Sequence, residues 1–473
     1  MSRGPLDTRR RQVSRIALYG SLALVVLAAG ALVELVSRPQ NRGIREDWHK
    51  VDWAGLPEVK LLQDYVRIDT SNKTGNVRAG ARFLADLFEK NGIPVHIELL
   101  GEKDANLWAI LEGEDPKALV LHNHMDVEDI HSPELWGAFP PFEARLRLPW
   151  LYGRGAYDMK SVAIAQALAM IELKKSGAKL KKSVIFLGTT GEEIGSDLGT
   201  QWVLRHHPEL VARFDVVLTE GGVLEGRSSE DLKYWGTEFA QKKYVDFQIC
   251  DSSQARLEEL KKDIQEHGRS EEVTLSPEVA GFLPIYAPSR DRQDFRDIMA
   301  NPASLTTNPD HFQKMPLYVQ AMLRPEFHGL RILPLDGGGF ELRAKLHLPP
   351  GMGIEQGRRL AIPDWLLHGF SYTVYAEPSA DHGSPLDHPI LADIERVIHD
   401  SYPDVPVGPI FLPWTATDSR FFRQQGIPSY GFSPFLVLTT DALQVLGHFE
   451  RIALPGYVEG IKIYTRLVRA AVT

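Results

Sequence analysis

The stretch ALVLHNHMDVEDIH, residues 118–131, joins an aliphatic run directly to three histidines and three acidic residues. A short aliphatic run is typical of a buried strand, and buried strands rarely carry ionisable side chains. The change of composition at His122 therefore predicts a strand whose carboxyl end supplies nitrogen and oxygen ligands. The segments around this strand indicate the kind of sheet to which it belongs.

Predicted helices and strands alternate on both sides of this stretch. The segments NVRAGARFLADLFEKNG (76–92) and KSVAIAQALAMIELKKSG (160–177) have the spacing of apolar residues that is typical of helices. The segments SVIFLGTT (183–190) and FDVVLTEGG (214–222) have the composition of short buried strands. Strands that alternate with helices predict an α/β sheet covered on both faces.

The composition of the chain excludes several classes of protein. The 473 residues are 43% hydrophobic and 24% charged, with a net charge of −9, which is typical of a globular protein of two or three domains. No dense basic stripe occurs in the body of the chain, so we expect no nucleic-acid partner. The single cysteine, Cys250, excludes an intrachain disulfide framework and a multi-cysteine zinc site.

The N-terminal segment predicts a membrane anchor. Residues 1–15 contain five arginines, and residues 16–36 contain Glu34 as their only charged side chain. A helix of about 20 apolar residues is long enough to cross a bilayer. Because arginine-rich flanks stay in the cytoplasm, we expect a single-pass membrane protein whose catalytic domain lies on the non-cytoplasmic side. A cleaved signal peptide is the alternative, although its apolar core is normally only about 7–15 residues long.

Acidic residues follow several of the predicted strands. Glu192 and Glu193 follow one strand, Glu220 follows the next, and Asp158 directly precedes the long helix. Ligand sites of open α/β sheets lie at the carboxyl ends of strands, so these acids and His124 are expected to share one crevice. Imidazole and carboxylate groups suit zinc or a similar divalent ion, which would also relieve the repulsion between the carboxylates.

Each of these residues also has a structural interpretation when it is taken alone. A single acid at a strand end is more commonly a helix cap or a solvated loop residue, and only the combination favours a metal site. His122, which belongs to the predicted strand, is interpreted as structural. Asp129 and His131 are interpreted as loop residues.

Five segments carry a family resemblance, and they occur in the family's order: HNHMDV, LYGRGAYDMK, TTGEEIGS, VVLTEGG and TATDSRFFRQQGIPSYGFSP. In these segments the chain resembles the zinc aminoacylase, carboxypeptidase S and succinyl-diaminopimelate desuccinylase family of metallopeptidases. The greatest likeness is to the carboxypeptidase S-like branch. The resemblance implies a zinc-peptidase catalytic domain with a mixed, mostly parallel sheet between helices, together with an inserted α+β lid domain.

The resemblance also implies a site for two zinc ions per chain. His124 and Glu220 would hold one ion, Glu193 would bind the other, and Asp158 would bridge the two. These roles come from the family and not from the spacing of the residues.

The last zinc ligand of the family is a histidine near the C-terminus, and the corresponding segment here is QVLGHFERI. A gapless alignment places Leu446, which cannot bind zinc, at the ligand position. A shorter loop would place His448 there instead. Both alignments stay open, and one zinc ion per chain is expected if His448 is not a ligand.

The remaining roles implied by the resemblance concern the reaction. Glu192 would be the general base, and Asp126 would orient His124. Arg420 could contact a substrate carboxylate, with a structural salt bridge as the alternative. Asp251 stands roughly where family members often carry a histidine that stabilises the oxyanion, and an acid there would repel that charge.

Taken together, the resemblance and the N-terminal segment imply a membrane-anchored hydrolase that cleaves an amide bond in an N-acyl amino acid or small peptide by metal-activated water. One alternative is a diverged member with an incomplete metal site that acts as a non-catalytic binding or assembly protein. Another is an enzyme that condenses acyl groups with amines. Relatives often pair two subunits through the inserted domain, so a homodimer is a further expectation.

The expected domain organisation has six parts. They are a basic cytoplasmic tail (1–15), a transmembrane anchor (16–36), a linker (37–50), a first catalytic part (51–236), an inserted lid domain (237–379) and a second catalytic part (380–473).

Overall fold

The structure, a computed structural model, describes residues 48–473 except 229–230, 269–271, 438, 443 and 446. The predicted tail (1–15) and membrane anchor (16–36) lie outside the described residues, as does most of the predicted linker (37–50).

The strands and helices are numbered here in chain order. The strands are β1 (Val95–Leu100), β2 (Asp104–Leu111), β3 (Asp115–His124), β4 (Arg145–Arg147), β5 (Trp150–Tyr152), β6 (Lys182–Thr189), β7 (Phe214–Thr219), β8 (Val223–Ser228), β9 (Asp231–Gln241), β10 (Lys243–Asp251), β11 (Glu326–Pro334), β12 (Phe340–Leu348), β13 (Tyr372–Ala376), β14 (Val407–Leu412), β15 (Ser429–Gly431) and β16 (Arg451–Ala453). The α-helices are α1 (Pro57–Val66), α2 (Val77–Glu89), α3 (Lys160–Ser176), α4 (Thr200–His206), α5 (Pro208–Val211), α6 (Gln254–His267), α7 (Pro277–Tyr286), α8 (Gln293–Ala300), α9 (Ser304–Thr307), α10 (Pro309–Lys314), α11 (Leu317–Met322), α12 (Ile354–Ala361), α13 (Pro389–His399), α14 (Ser419–Gln424), α15 (Thr439–Ala442) and α16 (Leu454–Val472). Short 3-10 helices span Trp48–Lys50, Trp53–Gly55, Pro133–Trp136, Glu192–Ile194 and Ala287–Ser289.

A nine-stranded mixed sheet forms the centre of the molecule. Its order is β1-β2-β6-β3-β7-β15-β9-β14, and β8 pairs with β9. The strands β6, β3, β7 and β15 run parallel to one another, whereas β1, β2 and β6 pair in antiparallel fashion. The predicted α/β fold with a mixed, mostly parallel central sheet is confirmed.

Helices cover both faces of this sheet. Along β3, Leu119 and Leu121 pack into the core shared with α3, whereas Val120 packs into a second core shared with α4 and α14. A parallel strand that is buried on both faces has to be apolar at every position. This burial explains why β3 appears in the sequence as a continuous aliphatic run and not as an alternating pattern.

The helix α2 shows how local signals place an element against the sheet. The Asn76 side chain accepts a hydrogen bond from the backbone N–H of Ala79 and so begins the helix. Leu84 and Phe88 are fully buried on its inner face. The corresponding signal in α3 is at its end, where Gly177 has a φ of 63° and stops the helix.

A second, antiparallel sheet has the order β11-β12-β10-β13. Apolar side chains of α6 pack on its face against Phe247 and Ile249. The two sheets are joined by continuous chain, because β9 ends in the central sheet at Gln241 and β10 begins in the second sheet at Lys243.

Lys242 is the one residue between these two strands, and it is fully buried. Its ammonium group donates a hydrogen bond to the backbone carbonyl of Arg324 at 2.8 Å and lies 3.4 Å from Glu326 Oε2. Burial lowers the pKa of Lys242 to about 8, and Glu326 partly opposes that shift. The junction between the two sheets is therefore fixed by a buried ion pair.

The helices α7 to α11 separate β10 from β11 in the chain but do not pack on the second sheet alone. Their side chains Val279, Phe282, Met299 and Val319 belong to the large core of the central sheet. The predicted inserted domain over 237–379 therefore contains two kinds of structure, and its boundaries stay a prediction.

The predicted membrane location is wrong. None of the described helices is long and apolar enough to cross a bilayer. The longest of them, α16, carries Glu459, Lys462 and Arg466 along its length, so it provides no apolar run of about 20 residues. The expectation of a single-pass protein with its catalytic domain on the non-cytoplasmic side is corrected accordingly.

Candidate metal centre

Three parallel neighbours of the central sheet end at the same edge. His124 is the last residue of β3, Glu220 directly follows β7, and the 3-10 helix Glu192–Ile194 begins three residues after β6. Because β6, β3 and β7 are adjacent and parallel, their carboxyl ends bring these side chains together. Gly191 has a φ of 74°, a conformation that L side chains rarely adopt, and turns the chain from β6 into the 3-10 helix.

His124, Asp158 and Glu220 form the centre of the site. The His124 Nε2 atom lies 3.2 Å from Asp158 Oδ1 and 3.4 Å from Glu220 Oε2. One nitrogen or oxygen atom from each side chain lies within 4.8 Å of the others, a spacing that could hold a metal ion. The imidazole is buried, whereas the two carboxylates retain 17% of their side-chain exposure.

The orientation of the His124 ring is set by its other nitrogen. Nδ1 lies 3.0 Å from the backbone carbonyl oxygen of Asp126. Since a carbonyl oxygen can only accept a hydrogen bond, Nδ1 carries the proton and Nε2 faces the two carboxylates. Burial opposes a charge on this ring, yet Glu220, Asp126 and Asp158 hold the pKa of His124 well above its usual value.

The Asp126 carboxylate fixes the loop that follows β6. Its Oδ1 accepts a hydrogen bond from the Glu192 N–H at 3.1 Å, and its Oδ2 accepts one from the Glu193 N–H at 3.2 Å. The Asn72 side-chain amide donates to Oδ2 at 2.9 Å. Burial raises the pKa of Asp126, but His124, Asn72 and the Glu192 N–H more than offset it and leave the pKa below its usual value. One residue thus positions both the imidazole and the two glutamates.

Asp158 is held by a buried carboxylate from the C-terminal part of the chain. Glu450 Oε1 accepts hydrogen bonds from the backbone N–H groups of Tyr157 and Asp158 at 3.0 and 3.1 Å. Glu450 Oε2 lies 2.7 Å from Nη1 of the buried Arg154. This contact fixes the loop before α3 in the position that presents Asp158 to His124.

The number of carboxylates around one imidazole indicates a cation site. Ligand atoms of Asp158 and Glu220 lie within 4.8 Å of each other, and two carboxylates at this spacing repel each other unless a proton or a cation lies between them. Burial, followed by the Asp158 charge, raises the pKa of Glu220 to about 8. Burial also raises the pKa values of Glu192 and Glu193 well above their usual range. The donor set of one imidazole and several carboxylates therefore fits a divalent metal ion.

Two of the predicted metal ligands stand apart from this cluster. Glu193 lines the same cavity, and its Oε1 accepts a hydrogen bond from the Glu128 N–H at 3.1 Å. His448 is half-buried and does not belong to any group of ligand atoms with metal-binding spacing in the described part of the chain. Leu446, the competing candidate for that position, lies outside the described residues.

The cluster opens into a cavity of about 630 Å³ between the two sheets. Asp158, Glu192, Glu193 and Glu220 line one side, and the other side is lined by Tyr244, Lys345, Glu377 and Arg420. The cavity therefore has an acidic wall from the central sheet and a mixed wall that includes two cations.

Arg420 lies in this cavity, as a substrate contact would require. The side chain is buried, its Nη1 donates to the Thr417 carbonyl at 3.4 Å, and its Nη2 lies 3.8 Å from Glu377 Oε2. The Nε atom has no hydrogen-bond partner among the described residues. Both predicted interpretations of Arg420, a ligand contact and a salt bridge, are therefore compatible with its surroundings.

Asp251 is not part of the cavity wall. Its carboxylate lies 2.6 Å from Arg256 Nη1 and accepts a hydrogen bond from the Ser253 N–H at 2.7 Å, at the start of α6. The Asp251 carboxylate therefore has a structural role at the start of α6.

His122 behaves as the structural residue that was predicted. Its two nitrogens lie 2.8 Å from Thr219 Oγ1 and 2.9 Å from Thr200 Oγ1. Burial lowers its pKa to about 4, so the ring stays neutral at neutral pH. The Thr200 hydroxyl also donates to Asp418 at 2.6 Å, which links β3 to the segment before α14.

Sequence reasoning missed the polar residues that hold the cluster in place. Asn72 contacts Asp126 from the N-terminal part of the chain, and no spacing in the sequence links it to the cluster. Glu450 lies within QVLGHFERI, the segment compared with the family's last zinc-ligand motif, so that segment was a signal for it. Asp418 lies within TATDSR, one of the segments that carry the resemblance, so that segment was a signal for its importance.

A family comparison decides the assignment of the chain. The sequence model of the peptidase family M20/M25/M40 matches residues 120–470, which include His124, Asp158 and Glu220. The chain belongs to the peptidase family M20/M25/M40. The family resemblance predicted from the sequence is therefore confirmed.

Curated relatives of this M20/M25/M40 peptidase match a shorter segment. The probable succinyl-diaminopimelate desuccinylase of Staphylococcus epidermidis is 38% identical over 136 residues, which are 29% of this chain and 33% of the relative. The match therefore spans only about a third of the length of such relatives.

Two solved structures share the fold of this M20/M25/M40 peptidase. An M20 family metallo-carboxypeptidase from Sulfolobus solfataricus has a TM-score of 0.64 at 15% identity and covers 88% of this chain and 99% of its own. Human carnosine dipeptidase 1 has a TM-score of 0.62 at 15% identity, with 92% and 98% covered. At this level of identity both structures show the fold alone.

Proposed function

We propose that this M20/M25/M40 peptidase is a metal-dependent hydrolase that cleaves the amide bond of an N-acyl amino acid or small peptide. The observation that carries the proposal is the convergence of His124, Asp158 and Glu220 beside Glu192 in one cavity. The family match supports it, as do the desuccinylase, carboxypeptidase and dipeptidase names of the relatives.

The proposed cofactor is zinc, with two ions per chain. His124 Nε2, Asp158 and Glu220 would hold the first ion, and Asp158 together with Glu193 would hold the second. When bound, divalent ions of this kind polarise an amide carbonyl and lower the pKa of water.

Glu192 is the proposed general base. It lines the cavity beside the cluster, and burial, followed by the charges of Glu220 and Asp418, raises its pKa well above the usual value. A raised pKa suits a carboxyl group that takes a proton from attacking water and returns it to the leaving amine. The backbone N–H of Glu192 donates a hydrogen bond to Asp126, and this contact fixes the backbone position from which the Glu192 side chain extends.

Arg420 is the proposed contact for the substrate carboxylate. Its guanidinium group lies in the cavity wall opposite the acidic cluster, and its distance of 3.8 Å from Glu377 leaves that ion pair loose. A substrate carboxylate could therefore gain a charge-assisted hydrogen bond there. The amide bond of the substrate would then lie between Arg420 and Glu192.

The first test combines metal analysis with a substrate panel. Purified protein should bind two zinc ions per chain and release free amine from at least one member of a panel of N-acetyl and N-succinyl amino acids and dipeptides. The Glu192→Gln variant should retain zinc and lose about 10²- to 10⁴-fold in kcat, since a general base contributes about that much. As a control, Glu128→Gln makes the same change in a side chain that pairs with His131 on the neighbouring loop and should leave kcat unchanged. An unchanged rate in Glu192→Gln would remove this base from the mechanism.

The position of His448 favours a second candidate function. Since His448 stands apart from the cluster, a chain with an incomplete metal site that binds substrates without hydrolysing them is the alternative. Zinc-loaded protein that holds a single ion and leaves the whole panel intact would support this alternative. A loss of one of two zinc ions in His448→Ala would instead identify His448 as a ligand.

A further inference from the structure

The groups of the cavity lining that could donate a hydrogen bond to a substrate include Tyr244, Lys345 and Arg420. Hydrolysis of an amide places negative charge on the carbonyl oxygen, and a donor aimed at that oxygen stabilises the transition state. The three side chains differ in charge and in how many of their hydrogen atoms are already used by other residues of the protein.

Lys345 and Arg420 are cations that contact other groups of the protein, Arg420 only in part, because its Nε atom has no hydrogen-bond partner among the described residues. The Lys345 ammonium donates a hydrogen bond to Glu377 and lies 3.1 Å from Asp246 Oδ1. Arg420 donates to the Thr417 carbonyl and faces the other oxygen of Glu377. Both cations therefore form one network around Glu377, on the side of the cavity that suits a carboxylate.

The Tyr244 hydroxyl has no hydrogen-bond partner in the described part of the chain, and the residue is half-buried in the cavity wall. Burial raises the pKa of Tyr244 above its usual value; Arg420 opposes the shift, and the charges of Glu377 and Glu192 add to it. The hydroxyl therefore keeps its proton at neutral pH and remains a donor. Tyr244 lines the same cavity as Arg420 and the proposed base Glu192.

The ring of Tyr244 is the end member of a stack of three rings, which also contains His347 and His328. Tyr244 on β10 pairs with His347 on β12, and their rings lie 4.0 Å apart at an angle of 11°. The other neighbour in the stack is His328, whose ring lies 4.3 Å from that of His347. Burial lowers the pKa of His347 to about 3, so the middle ring is neutral at working pH. A side chain fixed in this way can present its hydroxyl at one point of the cavity.

We propose that the Tyr244 hydroxyl donates a hydrogen bond to the carbonyl oxygen of the scissile amide as that oxygen gains charge, which makes Tyr244 a catalytic residue. The proton stays on Tyr244 throughout, because the tyrosine stabilises the charge and transfers nothing. This inference rests on the proposed hydrolysis, and it adds a donor from the second sheet to a reaction centre built by the first.

The test is the Tyr244→Phe variant, which keeps the stacked ring and removes only the hydroxyl. With the panel substrate that wild-type protein hydrolyses fastest, kcat should fall by about 10- to 100-fold, the lower part of the range for an oxyanion donor. KM should stay within about threefold, because the interaction strengthens only as charge develops. Zinc content should equal that of wild type.

A second readout does not depend on turnover. The phosphinic isostere of the same substrate carries tetrahedral, negatively charged oxygens, and calorimetry should show that Tyr244→Phe binds it about 10- to 100-fold more weakly. The matched control is Tyr375→Phe, which alters an exposed tyrosine of β13 in the same sheet and should behave as wild type.

The outcomes separate this inference from the proposed function. If wild-type protein hydrolyses the substrate while Tyr244→Phe matches it in kcat and in isostere affinity, the role of Tyr244 is overturned and the hydrolase stands. A raised KM with unchanged kcat would likewise overturn it, since the hydroxyl would then bind the ground state. Absence of turnover in zinc-loaded wild-type protein would overturn both.

Discussion

His124 shows how one backbone contact sets the chemistry of a site. The hydrogen bond from Nδ1 to the Asp126 carbonyl leaves Nε2 facing two carboxylates at 3.2 and 3.4 Å. Either a proton or a metal ion has to occupy that position, because an imidazole lone pair and two carboxylates repel one another. Proton and metal therefore compete for the same place, and metal affinity should rise with pH.

Asp126 should influence metal binding although it does not join the cluster of ligand atoms. In Asp126→Asn one carboxylate oxygen becomes an amide group, so one of the N–H groups of Glu192 and Glu193 loses its acceptor. We expect zinc affinity or kcat/KM to fall by about 10- to 100-fold, as is usual when the partners of metal ligands are changed. Competition with a zinc chelator measures the affinity.

The control for that experiment is Asp129→Asn. Asp129 also accepts a backbone hydrogen bond, from Lys73 at 2.9 Å, but it lies on the loop outside the cluster. Equal losses of zinc affinity in the two variants would show that the effect comes from the loop as a whole and not from the contacts of Asp126.

At the scale of single residues, the sequence predicted the members of the cluster because each stands where an aliphatic run or a helix meets a charged side chain. His124, Asp158 and Glu220 lie within metal-binding spacing of one another, whereas Glu193, the fourth predicted member, does not belong to that group. Asn72 could not be predicted in the same way, since its amide reaches Asp126 across 54 positions of the chain. Contacts of that kind depend on the packing of loops, which no local pattern records.

Among the secondary-structure elements, the loop before α3 depends most on a distant partner. Glu450 accepts two of its backbone N–H groups and pairs with Arg154. Both charged side chains are buried, at 1% and 4% exposure. A buried ion pair of this type contributes little net stability, but removing one partner is costly.

We therefore expect Glu450→Gln to lower the free energy of unfolding by about 3 kcal/mol, the lower limit for breaking a buried pair. Zinc affinity should fall as well, because the loop presents Asp158. Urea unfolding and chelator competition measure the two effects. The control is Glu459→Gln on α16, whose carboxylate is partly exposed beside Lys462 at 3.2 Å and should cost well under about 1 kcal/mol.

Several helices between α6 and β11 begin at or directly after a proline. Pro277 and Pro309 occupy the first turns of α7 and α10, and Pro316 precedes α11. A proline in the first helical turn loses no hydrogen bond, so it begins a helix there and does not break one. Prolines are also common in loops, so these positions taken alone do not predict helices.

For the molecule as a whole, bound metal should reverse the effect of pH on stability. In the metal-free protein the pKa of Glu220 is raised to about 8 from 4.5. Such a carboxyl contributes stability that is fully present below pH 4.5 and is lost as the pH rises through 8. The free energy of unfolding of chelator-treated protein should therefore fall between pH 5 and 9, by at most about 4 kcal/mol from this group.

Zinc should remove this loss, since the ligands bind it in their ionised form. At a free zinc concentration of 100 times Kd the gain is about 2.7 kcal/mol. At one fixed zinc concentration the gain should be larger at pH 8 than at pH 5, because Kd falls as the ligands ionise. Urea titrations with and without zinc at both pH values provide the measurement. A gain that is independent of pH would contradict the assignment of the carboxylates as ligands.

The fold class was predictable because burial of a strand on both faces of a sheet gives the strand a recognisable apolar sequence. Buried parallel strands such as β3 gave continuous aliphatic runs, so the α/β class followed from the sequence. The packing of α7 to α11 on the central core has no comparable sequence pattern, because those side chains contact residues that are far away in the chain. The domain boundaries within 237–379 accordingly remain a prediction.

The continuous path from β9 through Lys242 into β10 has a mechanical consequence. With a rise of about 3.3 Å per residue, Tyr244 stands about 7 Å from Lys242 along the strand and Asp251 about 30 Å. A tilt of the second sheet by about 5° around Lys242 would carry Asp251 through about 2.6 Å but Tyr244 through only about 0.6 Å, by the same spacing. A small tilt around Lys242 would therefore displace Tyr244 much less than the far end of β10, and the proposed hydrogen bond from Tyr244 would tolerate it.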